Sequence, residues 1–202
     1  MGTEVLKVNP ARLSSAALER ALEVLKAGGL IAFPTETFYG LGAAALDASA
    51  VRHVFELKGR PWSKPLLVLV DSVAMAERVA MVGEPARALM ARHWPGALTL
   101  VLPARPGLPA ELTAGTATIG VRLSPHPVAT ALVAGLAGPL TAPSANPSGA
   151  PPPTTPAEVL SHFDGALGLL LDAGTSAGGL PSTVLDVTGG TPRVLRQGAV
   201  RL

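Results

Sequence analysis

Five short apolar runs constrain this chain more than anything else in it: Leu30–Phe33, Leu66–Val70, Ala97–Leu102, Thr118–Leu123 and Leu167–Leu171. Runs this brief and this apolar are predicted to be buried strands. Stretches with helical spacing separate them. Ser15 can cap a helix running to about Ala27, with Leu18, Leu22 and Leu25 on one face and Gly28-Gly29 as its stop. A second helix is expected from Asp47, its N-cap, to about Lys58, with Val51, Val54 and Phe55 inward and Gly59 then Pro61 ending it. Further helices are predicted at about Val73–Val82, Pro85–His93, Pro127–Leu136 and Ala157–Phe163, and further strands at Leu140–Ala142, Thr183–Val187 and Arg193–Leu195. Buried strands interleaved with helices imply an α/β fold. The turn from Pro143 to Pro156 holds six prolines and is the one candidate boundary. Strand and helix patterns resume directly after it, so one domain over residues 1–202 is expected.

Composition removes several classes of function. Lys+Arg 16 against Asp+Glu 14 leaves a net charge of +2, so a dense nucleic-acid-binding face is not demanded. Aromatic residues are only 3 %, too few for a base-stacking platform. The absence of Cys excludes disulfides, thiolate nucleophiles and cysteine zinc sites. The four His, at 53, 93, 126 and 162, have no metal-ligand spacing. No apolar run approaches the ~18 residues of a membrane span, and the segment Met1–Pro10 lacks a signal-peptide pattern. A cytoplasmic protein with no membrane partner is expected.

The polar residues that border the strands carry the chemistry. Pro34-Thr35-Glu36-Thr37 places hydroxyls and a carboxylate at the C-terminal end of a strand, where open α/β sheets bind ligands; a plain turn with side-chain to backbone bonds is the alternative. Gly40-Leu41-Gly42-Ala43-Ala44-Ala45 fits G-x-G-x-x-A, but a dinucleotide fingerprint follows its strand directly and opens a helix there. Here Pro34–Tyr39 intervenes and the helix starts near Asp47, which favours a glycine turn that permits close packing. Lys58-Gly59-Arg60-Pro61-Trp62-Ser63-Lys64-Pro65 crowds three cations into a proline-stiffened segment, either an anion site or charges favoured by a helix C-terminus. Pro143-Ser144-Ala145-Asn146-Pro147-Ser148-Gly149 offers hydroxyl, amide and backbone N–H groups suited to phosphate. Arg122, on an otherwise apolar strand, is either solvated, the commoner case, or paired within a pocket.

Taken in order, these segments, with Val121-Arg122, Ser182-Thr183-Val184-Leu185-Asp186 and Leu195-Arg196-Gln197-Gly198, resemble the YrdC-type threonylcarbamoyl-AMP synthase family from about Leu30 to Gly198. The resemblance implies a twisted, open, mixed α/β sheet with flanking helices and a concave basic cavity, in the short, single-domain form. It implies synthesis of threonylcarbamoyl-AMP and diphosphate from L-threonine, bicarbonate or CO2, and ATP, with Mg2+ accompanying the ATP. Partner proteins would pass the threonylcarbamoyl group to tRNA, and a weak contact with tRNA itself is compatible with the family.

By the same resemblance, Thr37, Arg122, Ala142 and Ser182 contact threonine; Arg60, Lys64, Thr118, Ser144, Pro152 and Arg196 surround ATP; and Lys58 and Asn146 complete the signature. Lys58 and Arg60 are the expected catalytic cations. Three anions meet in such a reaction, and these guanidinium and ammonium groups answer that need. Leu69 departs from the family, whose members often carry His there, and Gln197 stands where a proline is frequent. Two other readings stay open: an RNA-binding protein of the same fold, and a paralogue acting on another carbamoyl or nucleotide substrate.

Overall fold

The computed structural model describes residues 2–189 and 191–202. Its strands form two mixed sheets where a single open sheet was expected. Four strands, β1 (Glu4–Lys7), β2 (Ile31–Phe33), β3 (Gly40–Gly42) and β8 (Leu169–Asp172), run in the order β1-β8-β2-β3. Six others, β4 (Leu67–Leu69), β5 (Leu98–Pro103), β6 (Thr118–Arg122), β7 (Leu140–Thr141), β9 (Thr183–Asp186) and β10 (Arg193–Arg196), run in the order β10-β9-β5-β6-β4-β7. The helices are α1 (Ser15–Lys26), α2 (Ala48–Lys58), α3 (Val73–Val79), α4 (Glu84–His93), α5 (Ala110–Thr113), α6 (Pro127–Leu136) and α7 (Pro156–Phe163). Among the described residues no helix is long and apolar enough to cross a membrane.

The local chemistry explains most boundaries. Asp47 caps α2 by accepting from Ser49 N and Ala50 N, and Gly59 ends it in the left-handed region at φ 56°. The cap of α1 is Ser14, whose hydroxyl accepts from Ala17 N, one residue earlier than the pattern suggested. The G-x-G stretch is neither turn nor helix start: β3 pairs antiparallel with β2, placing Gly40 and Gly42 against the Phe33 ring. A Cβ at Gly42 would sit 2.9 Å from Phe33 Cε1, so these glycines exist to seat an aromatic ring. That finding removes the dinucleotide fingerprint.

The two sheets abut where β3 and β7 are their edges. Thr141 N donates to Ala43 O at 3.0 Å and Leu41 N to Pro143 O at 2.7 Å. Between these bonds the fully buried Thr141 hydroxyl intervenes, accepting from Ala43 N at 2.8 Å and donating to Leu41 O at 3.0 Å. A hydroxyl thus takes the place of a ladder carbonyl, which satisfies the buried backbone while breaking the sheet in two. The loop that enters β3 and the loop that leaves β7 on this seam build much of the site.

Candidate active site

A cavity of about 410 Å³ opens at the seam, lined by residues from six stretches of chain. The first stretch is the loop before β3. Thr35 Oγ1 donates to Phe38 O at 2.7 Å, and Thr37 N and Thr37 Oγ1 lie 3.2 and 3.1 Å from it. Because the Thr35 proton is committed, the Thr37 hydroxyl donates to Thr35 and keeps lone pairs for the cavity. Tyr39 OH donates to Gly174 O at 2.6 Å and ties this loop to the one after β8.

The second stretch leaves α2. Once Gly59 has reversed the chain, Arg60 Nε donates to Lys64 O at 2.9 Å and Nη2 to Pro65 O at 2.8 Å. Trp62 stacks on Phe55 with ring centroids 4.6 Å apart, which fixes the loop against the core. Lys58 turns away from its own helix end. Its ammonium donates to Ser144 O and Asn146 O, both at 2.5 Å, and its carbonyl accepts from Ser148 N at 2.7 Å. The Lys58 and Ser144–Asn146 motifs, far apart in sequence, are one physical unit. Two of the ammonium's three protons are spent on positioning the loop.

The Asn146 amide is held in turn. Nδ2 donates to Pro147 O at 2.8 Å and Ala150 O at 2.7 Å, while the buried Oδ1 has no partner. On the other sheet, β6 delivers Arg122, which is buried and paired rather than solvated: Nη2 lies 2.8 Å from Glu36 Oε1. Arg122 Nε is buried without a partner. At β10, Arg196 Nη2 donates to Ser182 O at 2.9 Å and to Ser182 Oγ at 3.1 Å, and Ser182 Oγ lies 2.9 Å from Thr99 Oγ1.

The charges interact in sequence across the hollow. Burial first, and Arg60 second, push the Lys58 ammonium down to about 8. Burial and then Arg196 lower Arg60; burial and then Arg122 lower Arg196. Arg122 is lowered by burial, with Glu36 opposing. Cations that depress one another in this way bind an anion at a gain, because the anion relieves both the desolvation and the repulsion.

Thr37, Lys58, Arg60, Lys64, Arg122, Ala142, Ser144, Asn146, Pro152, Ser182 and Arg196 all line this one cavity. Thr118 is not among the lining residues. It begins β6, about 13 Å along the strand from Arg122, with its hydroxyl 2.8 Å from Thr116 Oγ1. Leu69 is fully buried in β4 opposite Arg122. Glu36, noted in the sequence as the carboxylate of the Pro34–Thr37 segment, completes the polar network with Ser124 and Thr99, which were not singled out; the alternation of Thr35 and Thr37 toward one side is the signal that sets Glu36 apart from them.

Fold and cavity together define a mixed α/β protein whose hollow is lined by Lys58, Arg60, Lys64, Arg122 and Arg196. The family model Sua5/YciO/YrdC, described as "Telomere recombination", matches residues 23–198. The chain is 44 % identical over 179 residues to the threonylcarbamoyl-AMP synthase of Pyrococcus abyssi, covering 88 % of this chain and 53 % of that protein. It is 40 % identical over 200 residues to the Bacillus subtilis threonylcarbamoyl-AMP synthase, covering 98 % and 56 %. The crystal structure of P. abyssi Sua5 complexed with L-threonine superimposes with a TM-score of 0.93 at 41 % identity, over 97 % of this chain and 58 % of that one. The chain thus belongs to the Sua5/YciO/YrdC family, and it spans about half the length of these relatives.

Proposed function

We propose that this chain, acting as one domain over residues 1–202, synthesises threonylcarbamoyl-AMP and diphosphate from L-threonine, bicarbonate or CO2, and ATP. The observation that carries the reading is the single hollow in which Arg60, Arg122 and Arg196 meet hydroxyl and amide groups. Synthases of this name among the relatives, and a threonine complex of one of them, support it. In this reading Arg122 takes the threonine carboxylate, with its unpartnered Nε available to one oxygen. The lone pairs of Thr37 accept from the threonine amine, and Ala142 and Ser182 close that end. Arg60, Lys64, Arg196, Ser144, Asn146 and Pro152 hold ATP. Lys58 serves catalysis by fixing the Ser144–Asn146 loop. Thr118 belongs to the nucleotide side only through a ligand that extends beyond the lining residues.

The threonine amine, once unprotonated, forms a C–N bond with CO2 and loses a proton, giving a carbamate. A carbamate oxygen then attacks the α-phosphorus as the bond to the β-phosphate oxygen breaks and diphosphate leaves. The chain contributes orientation and charge stabilisation, holding three anions together where repulsion would separate them. A magnesium ion accompanying ATP would supply charge neutralisation on the phosphates. Among the described residues no group of three His, Asp or Glu side chains gathers that could hold a metal ion. The product is an activated mixed anhydride, suited to transfer onto tRNA by partner proteins.

Diphosphate release from ATP tests the reading. It is expected to require both threonine and bicarbonate and to fall by orders of magnitude in Arg60→Ala. Release indifferent to threonine would overturn it.

A further inference from the structure

The cavity's cations are not equivalent. Each interacts with the next, Lys58 with Arg60, Arg60 with Arg196, and Arg196 with Arg122, and the series ends at Glu36. Among the described residues Glu36 is the one carboxylate within salt-bridge distance of any of them. It stands between Thr35 and Thr37 but does not itself line the cavity. One oxygen lies 2.8 Å from Arg122 Nη2, and the other accepts from the buried Ser124 hydroxyl at 2.5 Å. The carboxylate is therefore locked behind Arg122.

The result is a hollow with two electrostatic poles. At one, Lys58, Arg60, Lys64 and Arg196 have only carbonyl and hydroxyl partners or none, so no carboxylate offsets their charge. At the other, Arg122 keeps donors for a carboxylate, including the unpartnered Nε, but the pole as a whole is neutral. A polyphosphate gains most at the first pole. A zwitterionic amino acid needs a directed donor for its carboxylate and gains little from excess positive charge.

We propose that Glu36 is a specificity-determining residue: by neutralising Arg122 it reserves that end of the cavity for the carboxylate of a zwitterionic amino acid and confines polyphosphate to the Arg60–Arg196 end. This rests on the functional reading above as far as the amino acid is concerned. The exclusion of polyphosphate is tested independently of it.

The test is calorimetric titration with inorganic tripolyphosphate and with L-threonine. Glu36→Gln removes a negative charge beside the hollow. Tripolyphosphate is expected to bind about tenfold tighter to this variant and to compete with threonine there, whereas no competition is expected in the unaltered protein. Arg122→Gln leaves Glu36 uncompensated and is expected to weaken tripolyphosphate about tenfold. The double variant Glu36→Gln/Arg122→Gln changes no net charge and is expected to return tripolyphosphate to its original affinity while threonine binding stays lost. Glu36→Asp, which keeps the charge, is expected to preserve the exclusion.

Unchanged tripolyphosphate affinity in Glu36→Gln overturns the proposal. Should that variant fail to fold because it leaves a buried guanidinium unpaired, the double variant decides: an affinity equal to that of Arg122→Gln refutes the assignment. An unaltered protein that binds tripolyphosphate but no threonine refutes the functional reading and the amino-acid half of the assignment. The charge cycle then still decides the polyphosphate half.

Discussion

Lys58→Met separates what this ammonium does for stability from what it does for the cavity. The variant loses two hydrogen bonds of 2.5 Å and leaves the carbonyls of Ser144 and Asn146 without their donor, at about 1–3 kcal/mol each. It also ends the burial of a charge. Lys58 is 3 % exposed, and its ammonium is pushed from 10.5 down to about 8, which corresponds to roughly 3 kcal/mol against the charged form. The opposing contributions nearly cancel, and urea unfolding should register a loss of no more than about 3 kcal/mol. The loop, by contrast, loses its pin. Hydrogen exchange at the Ala145 and Asn146 amides, now bonded to Tyr39 O and Ser144 O, should accelerate, and ATP affinity should fall at least about tenfold, the loss of a single positioned charge-assisted contact. Unchanged exchange and unchanged ATP affinity in a folded variant would refute the positioning role. A loss of stability beyond about 5 kcal/mol would show that the cancellation argued from burial is wrong.

The same lysine makes binding and stability depend on pH. An anion beside it restores its proton, so ATP binding near pH 8.5 should take up protons, read by calorimetry in buffers of different ionisation enthalpy; Lys58→Met should abolish the uptake. Because its folded pKa lies below the unfolded one, the unfolded chain holds more protons between about 8 and 10.5, and the Lys58 contribution to stability should improve as pH rises through that window. Thr141→Val removes the hydroxyl that joins the sheets and orphans Ala43 N and Leu41 O; denaturant unfolding should show a loss of about 2–4 kcal/mol. At Gly198 an added Cβ would lie 2.2 Å from Pro181 O and 2.5 Å from Ser182 C. Gly198→Ala should therefore displace the Ser182 carbonyl that orients Arg196, costing about 1–3 kcal/mol of stability and weakening tripolyphosphate binding measured by calorimetry.

Much of this architecture is legible in the residues themselves. Helices α2 and α6 and strands β2 and β6 carry clear periodicity or apolar runs, and Asp47 and Gly59 mark the ends of α2 by known capping chemistry. What escapes the sequence escapes it for physical reasons. β1 alternates half-buried and exposed residues and owes its existence to parallel pairing with β8. β3 is two glycines around a leucine, residues of low strand preference that are held by Phe33. The short α5 has no side-chain cap to announce it. The division into two sheets follows from one threonine hydroxyl that no periodicity reports. In the site, the cationic motifs are visible in the chain, but the burial of Arg122 depends on Glu36, a partner brought from a distant stretch of the sequence and itself held by Ser124. The loop-pinning role of Lys58 depends likewise on Ser144 and Asn146.

The proposed reaction joins a nucleotide to a carbamoylated amino acid within one hollow. Mass spectrometry of a reaction containing ATP, L-threonine and carbon-13 bicarbonate tests it most directly. The expected product is an adduct of AMP and threonine that carries one labelled carbon. An AMP–threonine adduct without the label, or no adduct from protein that binds both ligands, would contradict it.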